Sequence, residues 1–337
     1  TRYYAHTRYQ SINLYSNYLF TLGDKHNFTV MAGYQEENND YSYMKNSITG
    51  LYSTSNPNVG MGTGDKTVVD TRNGWATRGF FGRVNYDYDG RYLLELNGRY
   101  DGSSRFAKGN RWGFFPSASL GWNITREQFM MPIADVVSNL KLRASYGRAG
   151  QAVTGVSRYP YQGTFTEGGG YNFGTSQSYT EGVYESTAGN KNIKWEISDM
   201  ANFGVDFDLW NKKIYGSVDF FKEWRSNILV SRSTVPGLFG VNAPQDSYGK
   251  AETKGFEITL GHSNRIGDFE YYIDGMLTFN TNKITEMDEL TPDYAYQART
   301  GNRIDQSQLL IWKQWASNPD LIPESYEDAV ANPQKYP

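Results

Sequence analysis

The chain has 337 residues, 33 Lys and Arg against 36 Asp and Glu, a formal net charge of −3 and no cysteine. This balance provides no basic run for nucleic acid, and the missing Cys excludes disulfides, thiol catalysis and Cys-ligated zinc. A mean hydropathy of −0.65 leaves no stretch of about 20 apolar residues for a membrane helix, although a spanning β-barrel shows only alternate residues to lipid and so looks soluble by this measure.

Gly (35), Tyr (27) and an aromatic content of 16% suit strands and turns rather than long helices. About ten strand-like segments follow from period-two alternation. In chain order they are Arg8–Phe20, Asn27–Glu36, Arg78–Tyr88, Arg91–Asp101, Phe114–Thr125, Asn139–Arg148, Trp195–Leu209, Lys213–Trp224, Ala251–Asn264 and Phe269–Lys283. Most reach the roughly 9–11 residues that a tilted strand needs to cross a bilayer. The connections alternate in size. Gly23–His26, Asp89–Gly90, Trp210–Lys212 and Ile266–Asp268 are tight turns, and Arg126–Ser138 has room for one helical turn ended by Pro132. Asn38–Thr77, Gly102–Gly113, Gly150–Lys194, Arg225–Lys250 and the terminal Ile284–Pro337 read as long connections. That rhythm predicts an all-β fold: an antiparallel up-and-down transmembrane β-barrel with short turns at one end and long external loops at the other.

The alternate faces agree. Ile12, Leu14, Tyr18, Val30, Ala32, Val84, Tyr86, Leu94, Leu96, Leu120, Trp122, Leu142, Ala144, Phe203, Val205, Phe207, Val218, Phe220, Ile258, Leu260, Ile273 and Leu277 are expected to face lipid. Arg83, Asn85, Glu95, Asn97, Arg99, Lys141, Arg143, Asp206, Asp208, Asp219, Glu257 and Asp274 fall on the opposite face. Among these, Glu95, Arg99, Arg143, Asp206 and Asp208 are candidate lumen-lining residues. A soluble sheet with one solvated face would also alternate. Strand length, loop rhythm and aromatic strand ends favour the barrel.

Few signals point to chemistry. Gly60–Asp65 is Gly-rich but lacks the Lys-Ser/Thr ending of a phosphate loop, and Gly168–Gly170 likewise reads as external loop. His6, His26 and His262 are widely separated, so no metal site and no cofactor is expected. No carboxylate pair or Ser-His-Asp arrangement stands out, and the chain does not read as an enzyme. The candidate ligand contacts are loop aromatics, Tyr159, Tyr161, Tyr171, Phe173 and Tyr179, whose flat faces suit sugars or peptides.

The wording of several segments resembles one family. R-Y-D-G-S-S-R-F (99–106), R-W-G-F-F-P-S-A-S-L-G-W (111–122) and E-Q-F-M (127–130) are similar to the barrel of SusC/RagA-type TonB-dependent outer-membrane transporters. So are L-K-L-R-A-S-Y-G (140–147), N-K-N-I-K-W-E (190–196), the strand start T-K-G-F-E (253–257) and the strand end N-T-N-K-I (280–284). The segment 305–315 departs from the family pattern. The resemblance implies that residues 1–337 are part of one barrel domain of roughly 22 strands, with the plug and the C-terminal strands outside this chain. It implies an active importer in the outer membrane of a Gram-negative bacterium, embedded in lipid and drawing on TonB through regions not present here. A SusD-like surface lipoprotein would cap it, and the cargo would be an oligosaccharide or a peptide. A TonB-dependent receptor for iron chelates or corrinoids shares the barrel. A soluble β-rich binding or adhesion module is the alternative from another class.

Overall fold

A computed structural model describes residues 1–55, 57–152, 159–292 and 297–306. Residues Thr1–Ile304 form one compact unit, and the second unit begins at Asp305. Within the first, the strands are β1 (Arg2–Leu22), β2 (His26–Ile48), β3 (Lys66–Tyr88), β4 (Tyr92–Ser103), β5 (Trp112–Asn123), β6 (Val137–Gln151), β7 (Thr164–Glu167), β8 (Tyr171–Phe173), β9 (Ser178–Thr180), β10 (Val183–Thr187), β11 (Glu196–Leu209), β12 (Ile214–Ser231), β13 (Gln245–Ile266) and β14 (Phe269–Glu286). Ten of them make one continuous antiparallel wall in the order β1-β2-β3-β4-β5-β6-β11-β12-β13-β14. The two remaining pairs, β7 with β10 and β8 with β9, are small hairpins inside the long connection after β6. Every predicted wall strand is present, and sequence neighbours are spatial neighbours, as in an up-and-down meander.

The register explains why one face is apolar. Phe20, Phe28, Tyr86, Leu94, Leu120, Ala144, Phe203, Phe220, Phe256 and Phe279 are successive cross-strand partners and so form a single row across all ten strands. Side chains alternate strictly along a strand, so this row fixes the face of every other position. All the residues expected to face lipid share it, and all the residues expected on the polar side lie opposite. Tyr18, Leu120, Phe220 and Leu277 on the apolar face are more than half exposed. A contiguous apolar surface of this extent does not persist in water.

The short turns form at one end of the wall. The Asp89–Gly90 pair has positive φ at both residues (54° and 65°), the geometry that matches strand twist in a two-residue hairpin. Trp210, Asn211 and Lys212 are all left-handed, and they close the tight turn expected there.

The structure corrects several boundaries. The expected connection Asn38–Thr77 is largely strand, with Ile48 paired to Lys66 at the far end of the hairpin. Beyond the apolar band both faces are polar, so hydrophobic alternation disappears while backbone pairing continues. β12 also runs on to Ser231 and β13 starts at Gln245, inside the expected connection Arg225–Lys250; there the bulge at left-handed Asn227 breaks the two-residue period although Ile228, Leu229 and Val230 are apolar. The predicted strand end at Lys283 likewise moves to Glu286. The turn after β5 holds two 3-10 segments, Ile124–Arg126 and Gln128–Ile133, and Pro132 sits within the second rather than ending it. Trp195 precedes its strand instead of opening it. The part of the expected terminal connection beyond residue 306 lies outside the described residues.

Candidate functional site: polar wall and outer loops

Three features occupy the polar face and the loop end. The first is an ion-pair hub. Arg143 on β6 donates two hydrogen bonds to Asp206 on β11, Nε to Oδ2 and Nη2 to Oδ1, both at 2.8 Å, and Nη2 also reaches Asp219 on β12 at 3.0 Å. Cross-strand pairing places Arg143 opposite Gly204, and Gly204 opposite Asp219. The glycine leaves the space: a Cβ there would meet Asp219 and the Arg143 guanidinium at under 3 Å. Arg143 therefore spans two strands, with its planar fork matched to a carboxylate. A shallow hollow of about 560 Å³ lies alongside, lined by Asp87, Glu95, Lys141, Arg143 and Asn202 among others.

The predicted lining residues divide here. Arg143 and Asp206 meet, and Glu95 lines the same hollow, held by Asn97 Nδ2 at 2.7 Å. Arg99 does not pair with Glu95. It forks onto Asp101 (2.9 and 3.0 Å), reaches Gln35 and packs over the Phe81 ring. Asp208 is on the same face but outside the hub. Asp219, the second carboxylate of the hub, was legible as a polar-face residue but not as a partner, because sequence distance hides the cross-strand register.

The second feature is a small buried core beneath the outer loops. Phe106, Phe115, Ile193 and Trp195 pack together, with Trp195 5.1 Å from the Phe106 ring and 5.3 Å from the Phe115 ring. Hydrogen bonds tie the loops around it. Arg111 Nε donates to the Phe106 carbonyl (3.1 Å), Trp195 Nε1 to the Arg111 carbonyl (2.9 Å), Asn110 Nδ2 to the Lys191 carbonyl (2.9 Å) and Asn227 Nδ2 to the Trp195 carbonyl (3.1 Å). Asn227 is left-handed (φ 56°) at the bulge of β12, which aims its amide at the loop. Gly150 completes the packing, since a Cβ there would lie 2.0 Å from the Phe115 ring. Arg105 stacks over Trp75 at 5.9 Å. Thus the neighbouring R-Y-D-G-S-S-R-F and R-W-G-F-F segments and the sequence-distant N-K-N-I-K-W-E segment build one lock. The E-Q-F-M segment does the same at the other end. There Glu127 accepts from the Tyr92 hydroxyl (2.8 Å) and the Trp122 indole (3.1 Å). These two donors, first the Tyr92 hydroxyl, hold its carboxyl below the usual range.

The third feature is the loop surface. Of the predicted aromatics, Tyr159 donates from its hydroxyl to the Gly74 carbonyl (2.5 Å) and meets Tyr161 edge-on at 6.1 Å. Tyr171 and Phe173 lie edge to face at 5.5 Å on β8, and Tyr179 sits on β9, its hydroxyl accepting from Gly170 N–H. The five therefore form two groups, one anchored to the wall and one on an exposed hairpin. Beside Tyr159 lies a hollow of about 710 Å³ lined by Asp40, Arg72, Asn73, Trp75 and Ser104 among others. The buried Asn73 Oδ1 in it has no hydrogen-bond partner among the described residues. This hollow was not foreseen, because it arises from strand pairing beyond the apolar band. The Gly60–Asp65 segment closes its hairpin instead of cradling phosphate, with Thr63 and Gly64 N–H donating to the Gly50 and Thr49 carbonyls. His26 and His262 each sit against a tyrosine hydroxyl at a strand end.

Comparison with known proteins accounts for this arrangement. Residues 1–320 match the family model described as TonB dependent receptor-like, β-barrel. The chain is 32% identical over 301 residues to the TonB-dependent receptor SusC of Bacteroides thetaiotaomicron, covering 88% of this chain and 29% of that protein. It is 28% identical over 274 residues to the TonB-dependent receptor P26 of Formosa agariphila, covering 80% of this chain and 27% of that protein. Among solved structures, the RagAB peptide transporter superposes with a TM-score of 0.75 at 23% identity, over 85% of this chain and 31% of that one. The chain thus spans under a third of the length of the curated relatives it matches.

Proposed function

This chain belongs to the TonB dependent receptor-like β-barrel family, and on that premise we propose that it is part of the wall and external loops of an outer-membrane importer of the SusC and RagA type. The family consists of transporters, not enzymes. The observation that carries the proposal is the 32% identity to SusC across 88% of the chain. The unbroken apolar row across ten antiparallel strands supports it physically, since lipid is the solvent such a face requires.

In this reading residues 1–337 are one section of a barrel of roughly 22 strands in the outer membrane of a Gram-negative bacterium. The complete protein holds a plug and draws on TonB, and a SusD-like surface lipoprotein closes it from outside. The cargo is an oligosaccharide or a peptide. The loop core of Phe106, Phe115, Ile193 and Trp195 makes the outer rim rigid, and the hollow beside Tyr159 and Trp75 offers aromatic rings and a buried amide oxygen for recognition. The Arg143 hub gives the lumen wall a fixed charge cluster in which one guanidinium bridges two carboxylates.

The test uses the complete protein purified from outer membranes with its lipoprotein. Calorimetry against a panel of oligosaccharides, peptides and iron chelates should show binding to one of the first two classes, weakened at least tenfold by Trp75→Ala or Tyr159→Ala. Recovery of the protein in the soluble fraction, or binding to iron chelates alone, would overturn the proposal.

A further inference from the structure

The apolar face ends, at the loop end of β12, β13 and β14, in a cluster of lysines. Lys222 and Lys254 are direct cross-strand partners on that face, one side-chain position beyond the row of Phe220, Phe256 and Phe279. Lys283 is the cross-strand partner of Glu252 on the same face. Like charges directly opposite each other on paired strands, with Cβ atoms roughly 5 Å apart, destabilise a sheet. Glu252 answers only one of the lysines, binding Lys222 Nζ at 3.2 Å. Lys250, further out, is held by Glu286. Four lysines thus face two carboxylates, and among the described residues Lys254 and Lys283 have no ion-pair partner and are exposed. The neighbouring Arg148 is fully engaged by Asp199 (2.8 and 3.0 Å) and contributes no free charge. Trp224, under the Lys222 ammonium at 5.0 Å, supplies an amphipathic ring at the same level.

We propose that this patch binds the phosphate of an anionic outer-leaflet lipid. The inference rests on the outer-membrane reading above. A free anion would satisfy the lysines but not the phenylalanine row beneath them. A lipid with phosphate above and acyl chains below satisfies both, and its height is set by the step from Phe256 to Lys254. The long lysine stems reach outward to the headgroup while their methylenes lie on the apolar surface. The bound phosphate removes the repulsion between Lys222 and Lys254, so the lipid also stabilises the pairing of β12 with β13.

The test is native mass spectrometry of the complete protein, extracted from outer membranes, stripped of lipid and titrated with phosphorylated lipid A, with the same lipid lacking its phosphates, and with inorganic phosphate. Wild type should retain the phosphorylated lipid only. A gain near the membrane surface of this kind corresponds to about fivefold in affinity per lysine. Lys254→Gln should therefore weaken binding about fivefold, and Lys254→Gln with Lys283→Gln roughly 25-fold. Lys254→Arg with Lys283→Arg should keep binding and reports that the site, not the fold, is being read. Unchanged binding in the double Gln variant, equal binding of the dephosphorylated lipid, or saturation by inorganic phosphate would each overturn the proposal. Protein that fractionates with the outer membrane but fails these tests refutes the lipid site alone. Protein absent from the outer membrane refutes the barrel reading itself.

Discussion

Leu96→Arg tests which face of the wall meets lipid. On β4 the apolar-face residues are Tyr92, Leu94, Leu96, Gly98 and Tyr100, and Leu96 lies midway between the two tyrosines. A strand rises about 3.4 Å per residue, and a tilt near 40° leaves each tyrosine roughly 10 Å from Leu96 in depth. Leu96 then sits close to the bilayer midplane, with Val84 and Ala118 as its cross-strand partners. Arg at that depth costs roughly 2–4 kcal/mol. The matched control is Ser119→Arg on β5. Ser119 is the partner of Glu95 on the polar face, so the new cation gains a neighbouring carboxylate in a wet lumen and should cost under about 1 kcal/mol. The assay is reversible urea unfolding of the complete protein in liposomes, followed by tryptophan emission. Equal destabilisation at the two positions, or a larger loss at Ser119, would refute the assignment of faces.

The loop core offers a second test: Trp195→Ala should remove about 3–5 kcal/mol of local stability and expose the 104–111 and 188–195 segments to limited proteolysis while the wall stays intact. Gly150→Ala should also loosen the core, by roughly 1–3 kcal/mol from overpacking against Phe115, and Phe115→Leu in the same chain should recover part of it in the same assay. At the hub, Arg143→Met leaves Asp206 and Asp219 facing each other. Because Arg143 is about a third exposed, solvent screening limits the loss to roughly 1–2 kcal/mol in chemical unfolding, and Arg143→Lys should restore less than half, since an ammonium cannot fork onto Asp206. Finally, the Thr300 hydroxyl and the backbone N–H groups of Arg299 and Thr300 hold the Glu289 carboxyl below its ordinary value. A carboxyl depressed on folding stabilises the loop above its unfolded pKa and loses that contribution as pH falls through the folded one. Hydrogen exchange at the Arg299 and Thr300 amides should therefore accelerate on acidification from neutrality to below pH 4, beyond the intrinsic pH dependence of exchange, and an unchanged protection factor would count against the contact.

The sequence by itself determined the wall. Alternation of apolar and polar residues is a local property, and where one face must be apolar it marks strand, face and approximate ends at once, so all ten wall strands were legible. It also marked Arg143 and Asp206 as residents of one face. What it did not determine was anything set by register between distant strands. The pairing of Arg143 with both Asp206 and Asp219, the turning away of Arg99 toward Asp101, and the opposition of Lys222 and Lys254 depend on which residues stand side by side across strands, and local pattern is silent on that. Nor were the outer strand extensions legible, because once both faces meet water the hydrophobic period vanishes and only backbone hydrogen bonds remain to define the strand. The motif segments show the division most clearly. As sequence they pointed to a family, but only the fold brought Phe106, Phe115, Ile193 and Trp195 into contact, because burying these four large apolar side chains, with the hydrogen bonds around them, offsets the entropy lost when loops so rich in glycine and polar residues hold one conformation.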